Sequence, residues 1–297
     1  MTLQRKGSIL VLIAALLWST GGHFIKSVSL DAWGVSFWRS LFAVVTLYIV
    51  YRANIEKITH HENESWFHGH TVLACFFYAA LLILFVMATK LTTSANAIFL
   101  QFTAPIYVLF FEPLLTKTKI KRADVITVLI AIGAMGLFFI GKFDTRSYWG
   151  NVAALASGIC FAAYALMLKH DRASEATRWR IPILGHLVIV VAMLVVSATT
   201  STSLALTSTN DLLMLGFLGV VQIGIAYSFF TFGLSYVRAL DALLLSMLEP
   251  VLNPVWVYLG LGEVPTRYAI IGGAIILALV AFRAIRGERQ VEPVSGS

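Results

Sequence analysis

The chain has 297 residues, 59% of them hydrophobic and 12% charged, with a formal net charge of +7. A soluble globule carries roughly 45–50% apolar and about 25% charged residues, so this composition excludes one. A mean hydropathy of +0.83 over the whole length also excludes a soluble domain with a single anchor.

The apolar run after Arg5 and Lys6 continues past the short core of a signal peptide and ends without a small-residue cleavage site, so it reads as a first crossing at 7–27. Further apolar runs follow at 32–52, 70–89, 93–112, 122–141, 149–168, 180–199, 211–232, 240–259 and 266–285. Each is close to the roughly 20 residues that a helix needs to cross hydrocarbon. The alternation expected of lipid-crossing strands is absent. The sequence therefore predicts an all-α membrane protein of ten transmembrane helices.

Sixteen of the 22 Lys and Arg residues fall on the face shared with the N terminus, five on the other, and Arg39 lies inside a span. Short basic loops stay in the cytoplasm, so both termini are expected there, in a multi-pass protein of the cytoplasmic (inner) membrane. Anionic lipid headgroups account for the basic charge, and no nucleic-acid partner is expected. Cys75 and Cys160 lie in apolar runs and read as buried thiols rather than a disulfide.

Ala104-Pro105 recurs as Glu249-Pro250, and Asn96-Ala97 as Asp241-Ala242, both 145 positions later; Gly7 and Lys26 answer to Gly150 and Lys169 at an offset of 143. These matches divide the chain into halves at 1–145 and 146–289, with 290–297 expected as a disordered tail. Five crossings per half is an odd number. The second half must then sit upside down relative to the first, an inverted repeat of the kind that builds a midplane site in secondary transporters.

The string LLWST at Leu16 to Thr20, Lys26 ending the first helix, a proline in the fourth helix of each half and LGE at Leu261 to Glu263 carry a family resemblance. The chain resembles the drug/metabolite transporter superfamily in its ten-helix, two-repeat EamA-type branch. In one departure, the first half has Thr118 where the second has Glu263. The resemblance implies efflux of small metabolites across the cytoplasmic membrane. Within the superfamily the chain is most similar to exporters of amino acids, with the aromatic amino-acid exporters as the nearest group.

Ionisable side chains inside lipid are costly and mark function. Glu249 lies about midway along the ninth span and precedes Pro250. Proline removes a donor and frees the carbonyl four residues back: Ser246 for Pro250, Pro250 for Pro254, and Gln101 for Pro105 in the other half. Freed carbonyls need protein or water beside them, so these breaks are expected to line a cavity. Gln101, Asn96, Ser246 and Asn253 would add polar groups there. Arg39 either meets a substrate carboxylate or snorkels to the interface. Trp18, Tyr78, Tyr164 and Tyr227 are interior to their spans, where an indole or phenol needs a polar partner. His186 reads as a packed residue, Glu112 as reachable by water, and Gly21-Gly22 and Gly133 with Gly136 as close helix contacts.

One buried cation is too few for a doubly charged phosphate. A chamber holding one carboxylate, several amides and aromatic walls suits a neutral or zwitterionic molecule such as an amino acid. The sequence has no metal-ligand spacing, nucleophile elbow or phosphate loop, so no enzyme, cofactor or metal is expected. The expected partners are a small-molecule substrate and the bilayer, with protons as the candidate coupling ion and a monomeric chain. The rival readings are a proton-coupled multidrug exporter of lipophilic cations and a channel.

Overall fold

The computed structural model describes residues 2–54, 68–137, 140, 147–170, 174–200, 202–206, 208–261 and 266–286. Gly262 and Glu263 of the LGE string, the junction of the halves at 145–146 and the tail at 290–297 lie outside them. Every regular element among the described residues is helical. In the first half these are α1 (Leu3–Trp18), α2 (Gly21–Ser27), α3 (Ala32–Ala53), α4 (Gly69–Leu91), α5 (Ser94–Gln101), α6 (Ala104–Thr116) and α7 (Arg122–Leu137). The second half has α8 (Tyr148–Lys169), α9 (Glu175–Thr200), α10 (Thr209–Phe217), a π-helical turn at Leu218–Ile225, α11 (Ala226–Leu234), α12 (Ala239–Ser246), α13 (Leu248–Leu261) and α14 (Arg267–Arg286).

Helices are what an apolar chain must form in lipid, because they satisfy every interior backbone group without outside partners. Their orphaned first N–H groups are met locally: Thr2 accepts from Arg5 N, Asp31 from Gly34 N, and Thr93 from Asn96 N. Among the described residues, eight continuous or end-to-end helical stretches are long and apolar enough to cross a membrane. The two remaining sequence runs are also helical, α7 over 16 residues and α12–α13 with an interruption at Met247.

Two of the interruptions follow the proline rule. Pro105 is the second residue of α6, after a break at Phe102–Thr103, and Pro250 is the third residue of α13, after a break at Met247. The breaks lie 145 positions apart, matching the repeat. In the first turn of a helix proline loses nothing, since its N–H would have no partner there. Pro254, expected to break the helix again, does not: α13 runs unbroken through it to Leu261. The third interruption, between α1 and α2, corrects the expected continuous span at 7–27. It has no proline; the Ser19 and Thr20 hydroxyls instead donate to the Leu16 and Leu17 carbonyls at 2.6 and 2.8 Å, immediately before Gly21-Gly22.

The packing repeats as well. α4 packs on α8 as α1 packs on α11, α5 on α8 as α12 on α1, and α4 on α9 as the π turn on α3; α3 with α9 and α7 with α14 pair across the halves. The repeat-related Gly7 and Gly150 occupy matching contacts. A Cβ on Gly7 would come within 2.7 Å of Tyr236 Cβ, and one on Gly150 within 2.8 Å of Thr92 Cβ. Gly133 and Gly136, expected in close contacts, have nothing within 4 Å of such a Cβ.

Gly158 lets α8 lie against the α5–α6 break, where an added Cβ would stand 2.6 Å from the Gln101 carbonyl oxygen. That oxygen is backbone and cannot swing away. Gly158→Val is therefore expected to lower the unfolding temperature in detergent by about 3–10 °C, as overpacking does. Gly133→Ala is expected to leave it unchanged, and near-ultraviolet circular dichroism on heating measures both.

Candidate functional site

A cavity of about 30 Å³ lies where the interrupted helices meet. Its polar walls are Arg39 from α3, Gln101 ending α5, Gln222 from the π turn and Glu249 in the first turn of α13, with Trp18, Phe161, Tyr227, Leu81, Leu82, Phe85 and Ile223 between them. Trp18, Gln101 and Glu249 each stand within two residues of a helix break, so the breaks direct backbone and side-chain polarity to one place. The volume holds a water or two. A metabolite does not fit in that volume.

Arg39 is 1% exposed, and its Nε and Nη1 have no hydrogen-bond partner among the described residues. The snorkelling alternative is thereby overturned, because the guanidinium lies inside the bundle. Glu249 is also buried and makes no ion pair among the described residues. Its place at the start of α13 suits a carboxylate, since the N-terminal end of a helix carries partial positive charge.

Of the other expected site residues, Tyr78 and Tyr164 form a row behind the wall. Tyr78 packs on Tyr227 and Tyr164 at ring separations of 5.0 and 4.8 Å, and its hydroxyl hydrogen-bonds His186 Nε2 at 3.0 Å. His186 is thus a packed residue with a partner, as its isolation in the sequence suggests. Tyr227 in turn lies 4.8 Å from Trp18. Three other expected residues do not line this cavity. The Asn96 amide donates to Asn151 Oδ1 at 3.1 Å and ties α5 to α8, the Ser246 hydroxyl turns back on the Ala242 carbonyl at 2.9 Å, and Asn253 faces Gly22 of α2. Sequence reasoning missed Gln222, Phe161 and Phe85. A single amide inside the apolar run GVVQIGI was the available signal for Gln222.

The bundle is tied differently at its two ends. At the end where α1 begins, Arg238 pairs with Asp124 and Glu112 at 3.1 and 3.5 Å, and Arg283 with Asp124 and Asp241 at 2.8 and 3.0 Å. Glu112, expected to meet water, is buried, and it accepts from the Ala239 and Leu240 backbone N–H groups at 3.0 and 3.4 Å, capping α12. These contacts join α6 and α7 of one half to α12 and α14 of the other. Among the described residues, the bonds at the opposite end are neutral or single-charge: Trp256 Nε1 to Ser19 Oγ at 2.7 Å, Ser94 Oγ to the Gly22 carbonyl at 3.3 Å, Lys90 Nζ to the Val28 carbonyl at 2.8 Å, and both the Ser29 N–H and hydroxyl to Asp211.

A far larger groove of about 840 Å³ between α4 and α9 is walled by apolar side chains alone, among them the outward-facing Val72 and Phe76. It offers nothing to orient a polar solute. Among the described residues no group of three or more His, Cys, Asp or Glu is arranged to hold a metal ion.

A protein of Archaeoglobus fulgidus described as an uncharacterized transporter is 25% identical over 288 residues, covering 94% of this chain and 97% of that protein. A solved crystal structure superposes with a TM-score of 0.76 at 17% identity, covering 95% of this chain and 98% of the other, which shows a shared fold. The profile of the EamA-like transporter family matches residues 5–140 and again residues 148–283. A multi-pass helical membrane protein with a charged chamber at its helix breaks, matched by that profile over almost its whole length, belongs to the EamA-like transporter family.

Proposed function

We propose that the chain is a secondary transporter that exports small zwitterionic metabolites, amino acids foremost and aromatic ones among them, across the cytoplasmic membrane by alternating access. The observation that carries this reading is the placing of two buried ionisable side chains of opposite type, Arg39 and Glu249, on one small cavity, with Arg39 Nε and Nη1 lacking a hydrogen-bond partner among the described residues. Both are costly alone in a medium of low dielectric. A substrate carboxylate at Arg39 and an ammonium at Glu249 would compensate both at once. The rings of Trp18, Phe161 and Tyr227 would enclose an apolar or aromatic side chain.

The proposed framework is ten crossings in two inverted halves, with both termini in the cytoplasm and one chain as the working unit. The packing relations that recur on exchanging the halves and the twofold match of one family profile support the duplication. Rocking of one half against the other would expose the chamber to each face in turn. Glu249 is the proposed proton carrier, because a carboxylate buried inside a crossing is the kind of group that relays protons in transporters. A lipophilic-cation exporter would use the same carboxylate but would leave the Arg39 charge uncompensated.

In proteoliposomes the wild type is expected to show saturable amino-acid counterflow that responds to a pH gradient. Glu249→Gln is expected to lower the rate about 10- to 100-fold, as loss of a charged hydrogen bond does, and to remove the response to pH. Wild-type transport by this variant would overturn the assignment. Uptake of a cationic dye in preference to amino acids would favour the multidrug reading, and non-saturating flux would favour a channel.

A further inference from the structure

The π-helical turn at Leu218–Ile225 is a departure from regular helix in the middle of a crossing, and such turns concentrate at functional sites. It is pressed against α3 beside Arg39: a Cβ on Gly219 would lie 2.6 Å from the Arg39 carbonyl oxygen, and one on Gly224 2.6 Å from Thr46 Cβ. Gln222, inside the turn, is 3% exposed. Its Nε2 donates to the carbonyl of Trp18, the last residue of α1, at 3.4 Å. The same atom would lie 2.5 Å from a Cβ on Gly21, the first residue of α2. The amide therefore occupies the gap between the two half-helices. Its other end, Oε1, is a buried acceptor with no hydrogen-bond partner among the described residues, on a side chain that lines the cavity.

An amide that merely filled the gap would be expected to satisfy both of its ends, because a buried acceptor without a donor is destabilising. We propose that Gln222 is a positioning residue for transport: Oε1 accepts a hydrogen bond from an N–H of the bound substrate while Nε2 holds the Trp18 carbonyl, so that occupancy of the chamber is transmitted to the α1–α2 break. The inference rests on the reading that the chamber between Arg39 and Glu249 takes an amino acid. It adds a third contact on the substrate and names the hinge that the contact controls.

The test compares the wild type with Gln222→Met, which keeps the length and removes both polar ends, and with Gln222→Asn, which keeps an amide too short to reach both partners. Counterflow gives KM and maximal rate, and hydrogen exchange of the amides at 18–27 is followed with and without a saturating amino-acid mixture. Wild-type exchange at 18–27 is expected to slow on binding. Gln222→Met is expected to raise KM about three- to tenfold, the worth of one hydrogen bond, to speed exchange at 18–27 without substrate by a similar factor, and to abolish the slowing. Gln222→Asn should show the same changes in smaller degree and serves alone if the methionine variant does not fold. Unchanged KM together with an intact substrate response of 18–27 would overturn the proposal. A wild type that transports no amino acid would sink the functional reading and the substrate contact with it, whereas the hinge contact stands or falls on substrate-free exchange in the variants.

Discussion

Arg39→Met is expected to lower kcat/KM for amino-acid counterflow about 10- to 100-fold while leaving the purified protein at least as heat-stable as the wild type. The two halves of this result have one cause. The guanidinium is buried, and its Nε and Nη1 have no hydrogen-bond partner among the described residues, so burying it costs solvation that those two atoms do not recover. Removing it relieves the folded state, and the same removal deprives a carboxylate of its counter-charge. Arg39→Lys is expected to recover only part of the rate, since an ammonium is a point charge and lacks the planar fork that grips a carboxylate. Counterflow in proteoliposomes and thermal unfolding in the same detergent measure the pair. A variant that is markedly less stable yet transports normally would show that Arg39 is a structural residue.

Arg283→Met is expected to act in the opposite sense, destabilising the protein by about 3–5 kcal/mol, as removal of one partner from a buried ion pair does. The Arg283 and Asp124 side chains are 10% and 5% exposed, and Asp241 16%. Without Arg283, Arg238 is the ion-pair partner left to Asp124 among the described residues, and Asp241 loses its ion pair there. Replacing Asp124 and Asp241 by Asn in the same chain should restore much of the loss, because it removes the stranded charges. Unfolding midpoints of the single and combined variants test this. No change in the single variant would mean that the network is more open to water than its burial indicates.

Much of the architecture could be read from composition and spacing because lipid leaves a chain so few options. Length and hydropathy predict the crossings, the proline rule predicts the breaks before Pro105 and Pro250 and points to Gln101, and the cost of an ionisable group in lipid points to Glu249. Pro254 shows the limit of that rule, since a helix held by its neighbours can run through a proline. The α1–α2 break has no proline, and its cause is two hydroxyls that compete with the backbone ladder. Asn253 follows Glu249 by one helical turn, about 5.4 Å along the axis, and that spacing predicts it in the chamber. That rise carries it past the cavity to Gly22. The network of Glu112, Asp124, Arg238, Asp241 and Arg283 joins residues up to 171 positions apart, and no local pattern announces it.

The repeat is also imperfect in a way that matters for kinetics. α1 is interrupted at Ser19–Thr20, whereas its counterpart α8 runs unbroken from Tyr148 to Lys169. A carrier built from two identical halves would present equal half-saturation constants to both compartments and cross between its two forms over a symmetric barrier. Unequal halves remove that constraint, so the inward and outward constants can differ widely. Microscopic reversibility fixes only the ratio of Vmax/KM in the two directions, which the driving gradient sets, so an unequal break can change how each side saturates without itself choosing the direction of net flow.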